Sequence, residues 1–376
     1  MVVMMPRRGD GRDIQRPGAV VIGGATALEL FRRKDLVPLI ESSERVSAYT
    51  LASRIAAPTQ RWAAQLLEVF GCSAPLCCVV TRAASRRRGP VRSQLLKPLL
   101  EGEVLRLDQG VYLLSPELLY LQMARGKDVA QLWMLASELT ARYGIDARTE
   151  ALVQPVHEVP SFMSGGADRN GAEGAACEPA VLDEPVRENM SPLFERSPLT
   201  TPEALRAMAE KAGHGSRSLA NRVASLVLGG ARSPKEAQLA ALLALPRRLG
   251  GRGIGDMELN HIFELPRRAQ VIAGRRSVEG DLYISSIRRS IEYDSERHHA
   301  DAGQRELDIR KANALRSIGV DVRAVTRTQL YTWQLFNALA DFISEDAVGP
   351  RSVSASLATR QYKLWRDLLF RDEGRA

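Results

Sequence analysis

Cysteine is scarce in this chain of 376 residues, with only Cys72, Cys77, Cys78 and Cys177. None forms a Cys-x-x-Cys pair, and the adjacent Cys77 and Cys78 suit neither a zinc knuckle nor a disulfide framework. Within the apolar run 76–80 they read as small buried hydrophobes. No apolar stretch approaches the ~18–20 residues that span a bilayer. The N-terminal Met-Val-Val-Met-Met-Pro-Arg-Arg lacks the apolar core of a signal peptide. The expectation is therefore a cytoplasmic protein with reduced thiols and no membrane partner. The stretch Gly250-Gly251-Arg252-Gly253 is not followed by a nucleotide-binding helix, which excludes a P-loop or dinucleotide-fold reading. His157, His214 and His261 show no ligand spacing.

What the chain has in excess is positive charge. Lys and Arg number 52 against 44 acids, a formal net charge of +8, which favours an anionic partner such as nucleic acid. At 45% hydrophobic and 26% charged the composition is that of a globular protein, and the length suggests two or three domains.

The pattern along the chain divides it. Residues 1–17 read as a charged, disordered arm, and 18–150 as a smaller α+β domain. That domain has apolar strands at 19–22 and 76–81, with Thr26 as the expected cap of a helix over 27–31. A helix-compatible stretch at 51–70 is interrupted by Pro58, and a hairpin over 104–114 turns at Asp108-Gln109-Gly110. Ser115-Pro116-Glu117 opens a helix, and another runs over 129–143. Residues 151–198 are rich in Gly, Ala, Pro, Ser and acids without apolar periodicity, the composition of a flexible acidic linker. A helical connector spans 199–231. Ser233-Pro234-Lys235-Glu236 is a capping box with Pro at N1. Strands are expected at 258–265, 282–287, 289–294 and 320–326, and helices at 302–318, 328–343 and 354–369, the last inside a C-terminal segment 346–376.

The chemistry concentrates between Gly280 and Thr326. Alternation in Ile291-Glu292-Tyr293-Asp294 puts Glu292 and Asp294 on one strand face. Carboxylates side by side in an apolar strand repel each other and lose hydration, a cost that a divalent cation relieves. Oxygen ligands from Asp281, Glu292 and Asp294 suit Mg²⁺ or Mn²⁺. His298 and His299 follow closely enough to carry protons or act as outer ligands. Asp308, Arg310 and Lys311 lie on the next helix, where the two cations could meet phosphate oxygens. Arg86, Arg87 and Arg88 form a basic loop, either solvated or in contact with phosphates. Glu236 can cap its helix and face the metal site at once.

The set Asp281-Leu-Tyr, Ile-Glu292-Tyr-Asp294-Ser, His298-His299, Asp308-Ile-Arg310, Gly319-Val-Asp-Val and Thr326, preceded by the Ser233–Glu236 helix start, resembles the very-short-patch-repair-like branch of the PD-(D/E)XK nuclease superfamily over roughly 232–345. The resemblance implies a restriction-endonuclease-like domain of helix, mixed four-stranded sheet and helix, and metal-assisted hydrolysis of DNA phosphodiesters. Asp281 and Glu292 would hold the metal, with the Tyr293 carbonyl completing part of the shell. The superfamily's usual lysine, two residues after the Glu, is Asp294 here, which leaves His298 as the candidate base or leaving-group acid. The glycine common after that Asp is Ser295. The front half resembles, more loosely, actinobacterial proteins related to abortive-infection antitoxins, chiefly through Gly110-Val-Tyr-Leu-Leu-Ser115-Pro116-Glu117. Three functions follow: a metal-dependent DNA endonuclease or nicking enzyme in phage defence or repair, a non-catalytic DNA-binding regulator or antitoxin-like protein on a degenerate nuclease fold, or a subunit that binds partner proteins of a defence system.

Overall fold

The structure is a computed structural model that describes residues 18–82, 89–146, 193–211, 218–294 and 302–370. The arm 1–17, the arginines Arg86, Arg87 and Arg88, residues 151–192 of the acidic segment, and His298 and His299 lie outside the described residues.

The chain is mixed α and β. Its front half runs β1 (Val20–Ile22), α1 (Gly24–Phe31), α2 (Val37–Glu41), β2 (Glu44–Ser47), α3 (Gln60–Phe70), β3 (Leu76–Val80), β4 (Val91–Leu95), β5 (Glu103–Asp108), β6 (Val111–Leu114), α4 (Pro116–Met123), α5 (Val129–Leu139) and β7 (Tyr143–Ile145). Six of these strands form a mixed sheet in the order β2-β5-β6-β1-β3-β4. β1 is central and buried at every residue, parallel to β6 and antiparallel to β3. The expected hairpin is present, with Gly110 at φ 78° in its turn.

One local expectation is corrected. Thr26 does not cap α1, which begins at Gly24 behind Gly23. The Gly24 amide donates to Gln122 Oε1 at 2.7 Å, and a Cβ on Gly23 would lie 2.7 Å from that same oxygen. Thr26 instead sits buried inside the helix, its hydroxyl accepting from the Cys77 amide at 2.9 Å. Within 51–70 the interruption expected at Pro58 is present, and the α-helix occupies Gln60–Phe70 behind the Thr59 hydroxyl cap.

The rest of the chain is β8 (Leu193–Glu195), α6 (Pro202–Lys211), α7 (Leu219–Ala224), α8 (Pro234–Ala244), β9 (Met257–Glu264), α9 (Arg267–Ala273), β10 (Ser277–Ile284), β11 (Arg289–Asp294), α10 (Ala302–Ser317), β12 (Asp321–Thr326), α11 (Arg327–Tyr331), α12 (Trp333–Val348) and α13 (Ala355–Leu369). A four-stranded mixed sheet has the order β12-β11-β10-β9. β9, β10 and β11 form an antiparallel meander, and β12 returns parallel to β11 after the crossover through α10. The expected helix over 328–343 is two helices, broken at Thr332, whose backbone is extended (φ −103°, ψ 110°). The strand expected at 282–287 begins five residues earlier, at Ser277, and stops before the turn that holds Arg288 at φ 49°.

One apolar cluster runs through both halves, from Ala19 to Leu369. α5 joins them. Trp133 is fully buried and its indole Nε1 donates to the Ala237 carbonyl of α8 at 2.8 Å. Tyr120 of α4 donates to the Ala220 carbonyl of α7 at 2.8 Å. β7 pairs antiparallel with β8, Ile145 opposite Leu193, so the described residues on either side of 147–192 lie next to each other. A smaller cluster of Phe263, Val278, Ala314, Leu315 and Val320 packs α9 and α10 against the outer face of the second sheet.

Candidate functional site

In a regular strand, residues four apart share a face. Val278 nevertheless packs in the outer cluster while Leu282 and Ile284 pack in the main core. β10 therefore turns over between Val278 and Leu282, where Gly280 and Asp281 lie. β9 turns over beside it, between Leu259 and Phe263, at Asn260 with φ 51°. Asparagine is among the few residues other than glycine that enter this left-handed region readily. The double turnover leaves room only for hydrogen at Gly280, since a Cβ would lie 2.4 Å from Ser290 Oγ.

This break in the sheet gathers the candidate carboxylates. Glu292 projects to the α10 side. Its Oε1 accepts from Ser290 Oγ at 2.5 Å, and its Oε2 accepts from Lys311 Nζ. Asp281 accepts the Tyr293 amide through Oδ2 at 2.8 Å. Burial, then the neighbouring Glu292 charge, push the Asp281 carboxyl up to about 7 against the opposing pull of Lys311, with Glu236 adding to the rise. Glu236 approaches from α8. Burial raises its carboxyl too, although it accepts three hydrogen bonds: from the Arg232 amide at 2.8 Å, Ser233 Oγ at 2.9 Å and Asn260 Nδ2 at 2.6 Å. The Ser233 hydroxyl caps α8 as expected, but Glu236 reaches back to the Arg232 amide and not to that of Ser233.

The structure thus brings together Asp281, Glu292, Lys311 and Glu236. Asp294 closes β11 opposite Thr326, one strand step beyond this group. Ile291 and Tyr293 face the main core, as the alternation requires. Asp308 is exposed on α10. Arg310 is turned inward, its Nε donating to the Ile272 carbonyl at 3.1 Å at the end of α9. Sequence reading placed Lys311 against phosphate; the structure places it on Glu292, a relation across 19 residues that no local pattern carries. Asn260 was missed, and its signal was an asparagine inside an alternating strand.

Among the described residues no three His, Cys, Asp or Glu side chains converge as a ready metal cluster. Comparison with protein-family models, with curated proteins and with solved structures gave no match.

The donor set still fits a hard divalent cation. Mg²⁺ commonly takes one or two protein carboxylates and fills its octahedron with water and substrate oxygens. Asp281 and Glu292 are two such carboxylates, close enough that the Glu292 charge adds to the rise that burial imposes on the Asp281 carboxyl, with Lys311 opposing it. The cysteines take no part: burial pushes the Cys72 and Cys78 thiols up to about 12. No helix among the described residues is long and apolar enough to cross a membrane.

Proposed function

We propose that the protein is a metal-dependent DNA endonuclease or nicking enzyme whose centre is Asp281, Glu292 and Lys311, with Asp294 and, from the sequence alone, His298 as further candidates. The observation that carries this reading is the Lys311–Glu292 contact next to a half-buried, strongly raised Asp281. Two acids and a lysine in one place is the composition that PD-(D/E)XK chemistry uses, and Lys311 supplies the ammonium that position 294 lacks. The order of elements around the set, α8, then the β9-β10-β11 meander, α10 and parallel β12, supports the reading as well.

Asp281 and Glu292 would hold Mg²⁺ or Mn²⁺. Bound there, the ion would polarise the scissile phosphate and acidify the attacking water. The chain's own residues would do the rest. The Tyr293 amide fixes one Asp281 oxygen and leaves the other for the ion. Ser290 orients Glu292 from the side opposite Lys311. The Lys311 ammonium, half-buried beside Glu292, would meet the charge that grows on the phosphate oxygens. A phage-defence or repair role, and partner proteins of such a system, remain part of this proposal through the resemblance alone.

Supercoiled plasmid incubated with Mg²⁺ or Mn²⁺ tests it. Nicking is expected with the wild type and not with chelator. Asp281→Asn and Glu292→Gln should each lower the rate by at least about 100-fold, and Lys311→Met by a similar factor, the scale on which loss of one transition-state stabiliser acts. Duplex binding without metal-dependent cleavage, untouched by these substitutions, would transfer the assignment to a DNA-binding regulator.

A further inference from the structure

The two cations that sequence spacing aims at phosphate are engaged inside the protein. Lys311 sits on Glu292, and Arg310 holds the last turn of α9 through the Ile272 carbonyl. That tie carries the argument to α9 itself. The segment 265–278 contains Arg267, Arg268, Arg275 and Arg276 and no acid. All four side chains are exposed. None makes a hydrogen bond or ion pair with another described side chain, whereas Arg32, Arg45, Arg142, Arg232 and Arg289 each hold an acid. α9 is anchored from beneath by Ala269 and Ala273, so the arginine pairs project from its two ends, and Val271, 79% exposed, lies between them.

We propose that α9 and its flanking arginine pairs form a grip on the phosphate backbone of duplex DNA; the choice of DNA rests on the nuclease reading above. Arg suits this task because its planar guanidinium pairs with phosphate oxygens in a two-point contact. The placement fits delivery to the candidate centre. Arg276 directly precedes β10, and Asp281 stands five residues further along it. Five strand residues span at most about 17 Å, which is about five phosphates along one DNA strand. The grip thus holds backbone a few nucleotides from the scissile bond. It reads no sequence, since backbone contacts fix position without identifying bases.

The test measures binding of a short duplex to the full chain by fluorescence anisotropy, in chelator, across a salt series. R267A/R268A/R275A/R276A is compared with wild type and with R61A/R92A/R125A/R206A, which removes the same charge from exposed sites elsewhere. The expected result is a salt slope lower by about 3–4 in the α9 variant, at about 0.9 per lost phosphate contact, with affinity reduced about tenfold or more. The control should keep most of the wild-type slope. Unfolding curves of both variants check that the exposed substitutions leave the fold intact. Equal losses in the two variants, or a wild type that binds no duplex at low salt, would overturn the grip. Plasmid nicking separates the two proposals. Binding that depends on α9 without any nicking leaves the grip standing and removes the nuclease, and nicking with binding indifferent to α9 does the reverse.

Discussion

Asp281 is the side chain whose state is most sensitive to conditions. Its carboxyl is held up to about 7 by burial and by Glu292, against 3.8 for an ordinary aspartate. Between pH 4 and 7 the folded protein therefore keeps a proton that the unfolded chain releases. Stability contributed at this residue falls as pH rises through that window, by up to about 1.4 kcal/mol per pH unit, and is level above pH 7. Asp281→Asn removes the titration. In chelator at pH 8 the variant should unfold at a higher denaturant concentration than the wild type, and the two should converge towards pH 4. Added Mg²⁺ should stabilise the wild type at pH 8 and leave the variant unmoved, because only the carboxylate gains a partner. Equal stability of the two proteins across the whole range would mean that Asp281 is not the strained carboxylate described here. This site was partly legible from sequence. A Glu inside the apolar strand Arg289–Asp294 is costly as filler, which drew attention to Glu292 and thence to Asp281. The contributions of Lys311 and Asn260 were illegible, since the first meets Glu292 across a helix and the second depends on a backbone angle.

At the scale of elements, the turnover of β9 and β10 sets where those side chains point. Gly280 is its tightest position. A methyl group there would lie 2.4 Å from Ser290 Oγ and 3.1 Å from Phe263. Gly280→Ala should cost about 1–3 kcal/mol in urea unfolding, the range for overpacking a filled site. Ser290→Ala in the same chain should return part of that loss, and a double-mutant cycle measures the share. Additive effects would place the strain elsewhere. The same strands show why some elements were readable and others were not. The starts of α4 and α8, each with Ser before Pro, appear where expected because a helix cap is built from adjacent residues. The first half of β10 was missed because Ser277-Val-Glu-Gly-Asp281 has little strand preference of its own, and its pairing with His261–Glu264 is what makes it a strand. Thr332 breaks the helix expected over 328–343 although its local apolar pattern continues. The cause is tertiary: Trp333 packs on Tyr362 and Trp365 of α13, while Tyr331 packs on Phe370.

For the whole molecule, the shared core matters more than the order of the chain. The front sheet, α5, α8 and α13 contribute to one apolar cluster, and the indole of Trp133 is bonded to α8 within it. β7 and β8 lie side by side, which brings Ile145 and Leu193 together although 47 residues separate them in the chain. The +8 charge is likewise not spread evenly. Many arginines are matched by acids within the fold, as Arg232 and Arg142 are by Glu279, whereas the four around α9 are not.

The β7–β8 pairing and the shared core together predict that the halves hold to each other without a covalent link. Chain 1–170 and chain 171–376, produced together in one cell, should reassemble by fragment complementation. They should co-purify through a tag on either piece and melt in a single transition, since neither piece can bury its share of the common core alone. Two independent transitions, or a tagged piece that purifies without its complement, would show that the halves fold separately. A protein that reassembles this way offers a practical switch: an activity that is absent from either half and returns when the two are brought together.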